Sequence, residues 1–144
     1  MKVQTRYFGE VEIQDEKVIT FEEGLPGFEE FKKFALLDTE KGAFNYLQCI
    51  EDKNVCFVIT DPYEFKEDYA PHISENYFEK LGGGDSKEFI IWVIACIKED
   101  MMKSTINLAG PLLINLNTKK AIQVIIEDKK YKTKHTLEEL LEEA

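Results

Sequence analysis

Alternation of apolar and polar residues dominates the N-terminal half of the chain and predicts paired strands. Residues Lys2 to Ile13 alternate around Gly9, and Lys17 to Phe21 form a further β-branched run, so we expect an N-terminal meander. Asn45 to Ile50 and Val55 to Thr60 read as two more strands. The polar residues between these two strands indicate a hairpin.

A sharp turn interrupts this series of strands. In Gly24-Leu25-Pro26-Gly27, proline fixes φ and the second glycine tolerates a positive φ, which suits the two central positions of a type II turn. Phe28, Phe31 and Ala35 follow at helical spacing, so a single helical turn is expected before a strand from Phe34 to Leu37. We expect these phenylalanines to close one end of the core.

Two segments have helical periodicity. Apolar residues recur every four positions between Pro71 and Leu81; a proline suits the first turn of a helix, and Gly82 is placed for its C-terminal cap. At the C-terminus, Thr136-Leu137-Glu138-Glu139 has the pattern of a capping box, and Leu137, Leu140 and Leu141 give a short amphipathic helix. The sequence therefore predicts one central and one C-terminal helix.

The most apolar segment, Glu88 to Ile97, predicts a strand in the middle of the sheet that is covered on both faces. Further strands are predicted at Thr105 to Leu108, Leu112 to Asn115 and Ala121 to Ile126. About eight or nine closely spaced strands favour a mainly β fold, because closing the sheet removes its exposed edges. We expect residues 1–144 to form one domain, a small closed or nearly closed antiparallel β-barrel capped by two short helices.

The chain is strongly acidic, and this narrows the classes of partner. Eighteen Lys and Arg against twenty-eight Asp and Glu give a net charge of −10, so the average field repels nucleic-acid phosphates. Neither an apolar signal segment nor a membrane-spanning run of about 20 residues is visible. We expect a cytoplasmic protein that contacts neither nucleic acid nor membrane, with Cys49, Cys56 and Cys96 as reduced core thiols.

Residues suited to catalysis or metal binding are scarce. His72 and His135 are the only imidazole bases and lie in no recognisable motif, so surface or capping roles are favoured. Two histidines and three cysteines lack the paired spacing of a zinc site. Gly82-Gly83-Gly84 leaves a helix and enters a strand, the reverse of a phosphate-binding loop, so a flexible connector is expected. We therefore predict no enzyme activity, no metal and no cofactor.

Aromatic residues stand beside acidic ones between Asp61 and Tyr69. Tyr63, Phe65 and Tyr69 lie in this predicted loop. Aromatic side chains rimmed by charge are typical of protein interfaces, where they supply contact area. The alternative is that Phe65 and Tyr69 fasten the loop to the core, and the sequence leaves both interpretations open.

Four segments together resemble the flagellar assembly factor FliW family, in the expected order and over nearly the whole chain. They are Phe21 to Glu29, Tyr46 to Cys49, Asp61-Pro62 with Phe65 and Tyr69, and Asn107 to Asn115 followed by Gln123. The departures are mild: Tyr46 stands where Trp is common, Cys49 where Ser is common, and Gly110 where Ala is usual.

The resemblance implies a cytoplasmic bacterial regulator that binds newly made flagellin. When free of flagellin, such a protein binds and antagonises the translational repressor CsrA and so relieves repression of flagellin mRNA translation. Because CsrA binds RNA, it should carry basic surface that an acidic protein attracts.

Six residues are the candidates for partner contact, with Phe65 and Tyr69 favoured. The others are Tyr63, Asn107, Pro111 and Asn115. For the last three, a role in shaping the barrel is the alternative, because proline interrupts strand pairing and asparagine can bond to its own backbone.

Two other functions stay open at this point. A small-ligand or flavin-binding β-barrel would need a basic or backbone-rich phosphate pocket, whereas the polar loops here are mainly acidic. A general chaperone-like adaptor would have the same surface but other clients. Release of flavin on denaturation would favour the first, and failure to capture flagellin and CsrA would favour the second.

Overall fold

The computed structural model of the protein describes residues 1–39 and 42–144. In chain order the strands are β1 (Lys2–Gln4), β2 (Glu10–Glu12), β3 (Val18–Thr20), β4 (Lys33–Leu37), β5 (Phe44–Cys49), β6 (Cys56–Thr60), β7 (Phe89–Cys96), β8 (Thr105–Ile106), β9 (Leu112–Asn115), β10 (Lys120–Gln123) and β11 (His135–Thr136). The helices are α1 (Glu75–Lys80) and α2 (Leu137–Glu143). Short 3-10 helices cover Asp15–Lys17, Pro62–Glu64, Ser86–Glu88 and Met101–Lys103.

Seven strands close into a ring, which confirms the predicted barrel. The order is β7-β6-β5-β4-β3-β10-β9, and the pairing of β9 with β7, from Phe89↔Asn115 to Trp92↔Leu112, closes it. One neighbouring pair is parallel, with Lys120 opposite Thr20, and the other ring pairs are antiparallel. A ring with an odd number of strands cannot alternate in direction throughout. The predicted antiparallel barrel is therefore confirmed, with this one parallel pair as the exception.

Alternate side chains of the ring strands fill the interior. Every ring strand contributes to one cluster, whose largest fully buried members include Phe21, Phe34, Leu47, Ile59 and Leu112. The rings of Phe21 and Phe34 meet edge to face with centroids 5.5 Å apart, an arrangement that aromatic pairs prefer. The interior is thus a packed core.

The segment between β3 and β4 contains a type II turn, as predicted. Gly27 has φ +85°, and the Phe28 N–H donates to the Leu25 carbonyl at 2.7 Å. The expected helical turn is limited to the bond from the Phe31 N–H to the Phe28 carbonyl, and both rings pack against the interior cluster.

Strand β7 separates the interior from a second cluster on the outside of the barrel. Ile90, Trp92 and Ile94 pack inward, whereas Val93 and Ala95 pack outward against residues that include Leu108, Leu137 and Leu140. Coverage of both faces is therefore confirmed, although the first half of β7 is only half-buried. On the far side of the barrel, the β1–β2 hairpin covers β4, with Val3 and Ile13 packed near Leu37.

The cysteine prediction is right for only one of three thiols. Cys49 is buried in the interior, Cys56 is half-buried and Cys96 is exposed. Burial raises the pKa of the Cys56 thiol to about 11 and also raises that of Cys49. Cys96 differs because it is the last residue of β7: it lies on the same face as Ile94, but the interior cluster does not extend to it.

The central helix is shorter than predicted. It begins at Glu75 rather than Pro71, after Ser74 in an extended conformation, and His72 is exposed before it. A tertiary contact holds the preceding segment, since the Ala70 N–H donates to the Tyr131 hydroxyl at 3.0 Å. The C-terminal helix starts as predicted, with the Thr136 hydroxyl accepting from the Glu139 N–H at 3.1 Å.

The glycine triplet after α1 is a fastened turn, so the expectation of a flexible connector is wrong. Gly82 has φ +102°, and the Gly83 N–H donates to the Phe78 carbonyl at 2.9 Å, which closes the helix end. The Asn115 amide then donates to the carbonyls of Leu81 and Gly83 at 2.9 and 3.2 Å. Residues on α1, the triplet and β9 are joined by these bonds.

Candidate protein-binding site

The loop from Asp61 to Tyr69 leaves β6 through a series of tight turns. Asp61 caps the first turn, since its carboxylate accepts from the Tyr63 N–H at 3.0 Å and Pro62 follows it. The Phe65 N–H donates to the Pro62 carbonyl, and the Tyr69 N–H to the Lys66 carbonyl, both at 3.1 Å. This folding places the aromatic side chains at defined positions on the barrel wall.

Tyr69 anchors the loop. Its side chain is only 3% exposed, and its hydroxyl donates to the Leu108 carbonyl at 2.7 Å. Its ring meets that of Tyr131 edge to face, with centroids 4.8 Å apart. Burial raises the pKa of Tyr69 well above its ordinary value, because the charged phenolate would be desolvated. A partner would meet the loop that Tyr69 holds, not the ring of Tyr69 itself.

Tyr63 and Phe65 are the more accessible aromatic residues of the loop. Tyr63 is 40% exposed, and burial of the rest of its side chain raises its pKa. Phe65 is half-buried and stacks on Phe44 with ring centroids 5.8 Å apart. The sequence left open whether these aromatic residues attach the loop to the core or form accessible surface. Tyr69 attaches the loop, whereas Tyr63 and Phe65 contribute accessible surface.

Grooves flank the loop on both sides. Tyr63 and Asp61 line a groove of about 370 Å³ against the first half of β7, which includes Trp92. On the other side, the loop and α2 enclose a groove of about 400 Å³, which we call the acidic groove. It is lined by Glu64, Phe65, Lys66, Glu67, Asp68, Leu140, Leu141, Glu143 and Ala144.

The acidic groove combines an apolar floor with a negative rim. Phe65 and the exposed Leu141 supply apolar surface, and carboxylates of the loop and of α2 surround it. Among the described residues, Lys66 is the single cation that lines the groove, and it lies 3.1 Å from Asp68 and 3.9 Å from Glu143. Its hydrogen bond and charge lower the pKa of the exposed Asp68 carboxyl. The groove is therefore suited to a segment that is apolar on one side and basic on the other.

The other predicted site residues mainly support backbone turns. The half-buried Asn107 accepts from the N–H groups of Ala109 and Gly110 at 3.1 and 2.9 Å. Pro111 is buried, and its carbonyl accepts from the Val124 N–H. Asn115 is fully buried and uses its side chain as described for the glycine triplet. These bonds support the interpretation that the three residues shape the barrel.

His135, for which a surface or capping role was expected, is a buried part of β11. Its Nε2 accepts from the Lys132 N–H at 2.8 Å, and its Nδ1 lies 3.0 Å from a carboxylate oxygen of Glu139. Both nitrogens are therefore used to join the preceding turn to α2. The sequence signal was present, because His135 and Glu139 are four residues apart at the start of a helix.

The tip of the β1–β2 hairpin carries an aromatic patch that the alternation of residues Lys2 to Ile13 does not predict. Tyr7 and Phe8 are 55% and 48% exposed, and the Phe8 ring meets that of Tyr46 at 5.1 Å. That alternation predicts a strand through Tyr7, but the Thr5 N–H donates to the Gly9 carbonyl, and this bond closes a turn that contains Tyr7. Adjacent aromatic residues just before a glycine were the available signal.

The grouping of side chains and the packing of the barrel interior also bear on whether the protein can hold a metal ion or a small ligand. Within residues 1–39 and 42–144, no three or more His, Cys, Asp and Glu side chains are grouped as a metal site would require. The barrel interior, which a small-ligand carrier would leave open, is filled by side chains such as Phe34, Leu47 and Ile59, all at 0% exposure. In the same described part of the chain, no helix is long and apolar enough to span a bilayer.

Comparison with known proteins gives consistent matches. The model of the FliW protein family matches residues 2–137. The flagellar assembly factor FliW of Caldicellulosiruptor saccharolyticus is 37% identical over 139 residues, which cover 96% of this chain and 91% of that protein. That of Thermotoga neapolitana is 39% identical over 144 residues, covering 99% and 97%. A crystal structure of the flagellar assembly factor FliW superposes with a TM-score of 0.89 at 33% identity, covering 95% of this chain and 96% of that one.

Proposed function

The chain belongs to the FliW family of flagellar assembly factors, and from that premise we propose that it binds flagellin and the translational repressor CsrA in turn. When free of flagellin, it captures CsrA and relieves repression of flagellin mRNA translation. It acts in the cytoplasm by binding, without catalysis and without contacting RNA itself.

The acidic groove is the observation that supports this proposal. An amphipathic segment of unassembled flagellin has an apolar side that Phe65 and Leu141 can cover. CsrA must carry basic surface to bind RNA, and the carboxylates around the groove attract such a surface. Because both partners use the same small surface, binding of one excludes the other.

The CsrA antagonism follows from this exclusion. Flagellin that accumulates in the cell occupies the groove, so CsrA stays on the mRNA. Once flagellin is exported, the groove is free and takes CsrA from the RNA by contacting it beside its RNA-binding surface. The proposal thus describes a switch set by the amount of unassembled flagellin.

The test is a titration of a fluorescent RNA bound to CsrA. Adding this protein should release the RNA and lower its anisotropy, and adding flagellin afterwards should restore the bound signal. If neither addition changes the anisotropy, the proposal is wrong. If the RNA is released but flagellin does not reverse the release, mutual exclusion is wrong.

A variant pair assigns the effect to the groove. Leu141→Glu places a carboxylate on the apolar floor, and it should weaken both partners at least tenfold, since burying one leucine is worth about 1.5–3 kcal/mol. Leu116→Glu is the matched control, because Leu116 is also exposed but lies outside the groove lining. Equal effects of the two variants would contradict the assignment to the groove.

A further inference from the structure

Strand β10 is paired along one side but only at its beginning on the other. Toward β9 the pairing runs from Lys120↔Asn115 to Gln123↔Leu112, whereas toward β3 it is limited to Lys120↔Thr20. Strand β3 ends at Thr20, and the chain then turns away into the type II turn. The β3-facing side of β10 therefore has no strand partner beyond its first residue.

The chain after β10 continues in the manner of a strand. The Val124 N–H donates to the Pro111 carbonyl at 2.8 Å, and the Ile126 N–H to the Ala109 carbonyl at 2.9 Å. Val124 and Ile126 are buried, whereas Ile125 between them is exposed. Alternation of both bonding and burial is the property of a strand lying on a core.

The opposite side of this segment forms an open edge, which we define as Ile125 to Glu127. Alternate residues of a strand direct their backbone groups to opposite sides, so the N–H groups of Ile125 and Glu127 point away from Ala109 and Pro111. In the part of the chain that the structure describes, no protein group accepts a hydrogen bond from either. Ile125 is also 74% exposed, which makes this an uncovered, apolar strand edge of the kind that pairs with another chain.

A groove of about 970 Å³ runs beside this open edge. The opposite wall comes from α1 and the residues before it, including His72, Asn76, Tyr77 and Lys80. Tyr77 is half-buried and contributes an aromatic surface to the lining of this groove. The space is of the size that proteins use to hold a ligand of several residues or a drug-sized molecule, about 300–1,000 Å³.

The free charge of this groove is negative. Lys80 lies 3.5 Å from Glu23, and Asp128 lies 3.7 Å from Lys130, so both are already paired. Glu79 and Glu127 have no cation within salt-bridge distance among the described residues. A cationic occupant is therefore favoured, and a second copy of this chain, with its net charge of −10, is disfavoured.

We propose that this groove binds an extended, basic segment of a partner protein by strand addition. The backbone of the segment bonds to the N–H groups of Ile125 and Glu127, an apolar side chain lies beside Ile125, and Lys or Arg reaches Glu79 or Glu127. This surface is separate from the acidic groove. The proposal is thus independent of flagellin and CsrA binding at the latter.

A synthetic peptide tests the proposal directly. The probe is a fluorescent eight-residue peptide in which lysine and valine alternate. One control replaces each valine with D-valine, which keeps charge and composition but prevents a regular strand; another replaces each lysine with glutamate. We expect the parent peptide to bind at least tenfold more tightly than either control, with slowed hydrogen exchange at the Ile125 and Glu127 amides. Equal binding of the D-valine peptide, or binding without that protection, would overturn strand addition.

Two variants of the full chain complete the test. Ile125→Lys puts a lysine on the edge, a change that natural edge strands use to prevent pairing, and should weaken the parent peptide at least tenfold. Ile97→Lys is the control, because Ile97 is exposed outside the groove. Circular dichroism checks that both variants fold. Equal peptide affinity in the two variants, or a dimer that Ile125→Lys abolishes, would contradict the proposal, whereas RNA release from CsrA tests the acidic groove separately.

Discussion

The Asp61–Tyr69 loop and the Thr5–Gly9 turn contain the same kinds of residue but use them differently. Both place tyrosine and phenylalanine next to charged side chains. In the loop, Tyr69 is buried and its hydroxyl donates to the Leu108 carbonyl, whereas in the turn Tyr7 and Phe8 are about half exposed. Both regions offer a partner ring, Tyr131 to Tyr69 and Tyr46 to Phe8, so the difference between the anchor and the exposed residues is the buried backbone acceptor that Tyr69 reaches.

The largest expected effect is the difference between Tyr69→Ala and Tyr7→Ala. Tyr69→Ala removes a buried ring and leaves the Leu108 carbonyl without its donor, so it should cost about 3–5 kcal/mol of unfolding free energy. Tyr7→Ala removes an exposed ring and should stay within about 0.5 kcal/mol. Urea denaturation followed by circular dichroism measures both. Similar losses of unfolding free energy in the two variants would contradict the distinction between a buried anchor and an exposed aromatic residue.

Tyr69→Phe separates the hydroxyl from the ring. The ring still packs against Tyr131, but the Leu108 carbonyl loses its partner, so the expected cost is about 1–3 kcal/mol. The same denaturation series gives the value. A cost as large as that of Tyr69→Ala would mean that the hydroxyl, and not the ring, anchors the loop.

Phe65→Ala tests the residue that lies between the two extremes. Its stacking on Phe44 and its half-burial predict a loss of about 1–2 kcal/mol, less than for Tyr69→Ala. Because the fold survives, the RNA-release assay can be run on this variant, and we expect weaker CsrA capture. Unchanged capture would place Phe65 with Tyr69 among the anchors.

The smallest expected effect concerns the rim of the acidic groove. Lys66→Met removes the cation that lowers the pKa of Asp68, so the pKa of this carboxyl should rise toward its ordinary value of 3.8, as measured by NMR titration. The lowered pKa stabilises the fold above pH 3.8, and this contribution is lost as the pH falls through the lowered value. Because Asp68 is fully exposed, the acid unfolding curve should change little. An unchanged Asp68 pKa would show that the ion pair is not formed in solution.

Local features of this protein could be predicted from its sequence because the interacting residues are close along the chain. The turn at Pro26 and Gly27, the β5–β6 hairpin and the Thr136 cap each depend on residues only a few positions apart. The order of short motifs was likewise enough to indicate the family, which the matches over most of the chain confirm.

The tertiary structure alone decided closure, burial and the character of the candidate site. Pairing of Phe89 with Asn115 and of Thr20 with Lys120 joins distant segments, and no local pattern specifies which strands become neighbours. Contacts between distant segments also bury Tyr69, which bonds to Leu108, and His135, which pairs with Ile106, whereas Cys96 is left exposed. Whether a side chain anchors the fold or is available to a partner depends on which distant residues pack against it. The sequence could therefore indicate the Asp61–Tyr69 loop, but not which of its aromatic residues are buried.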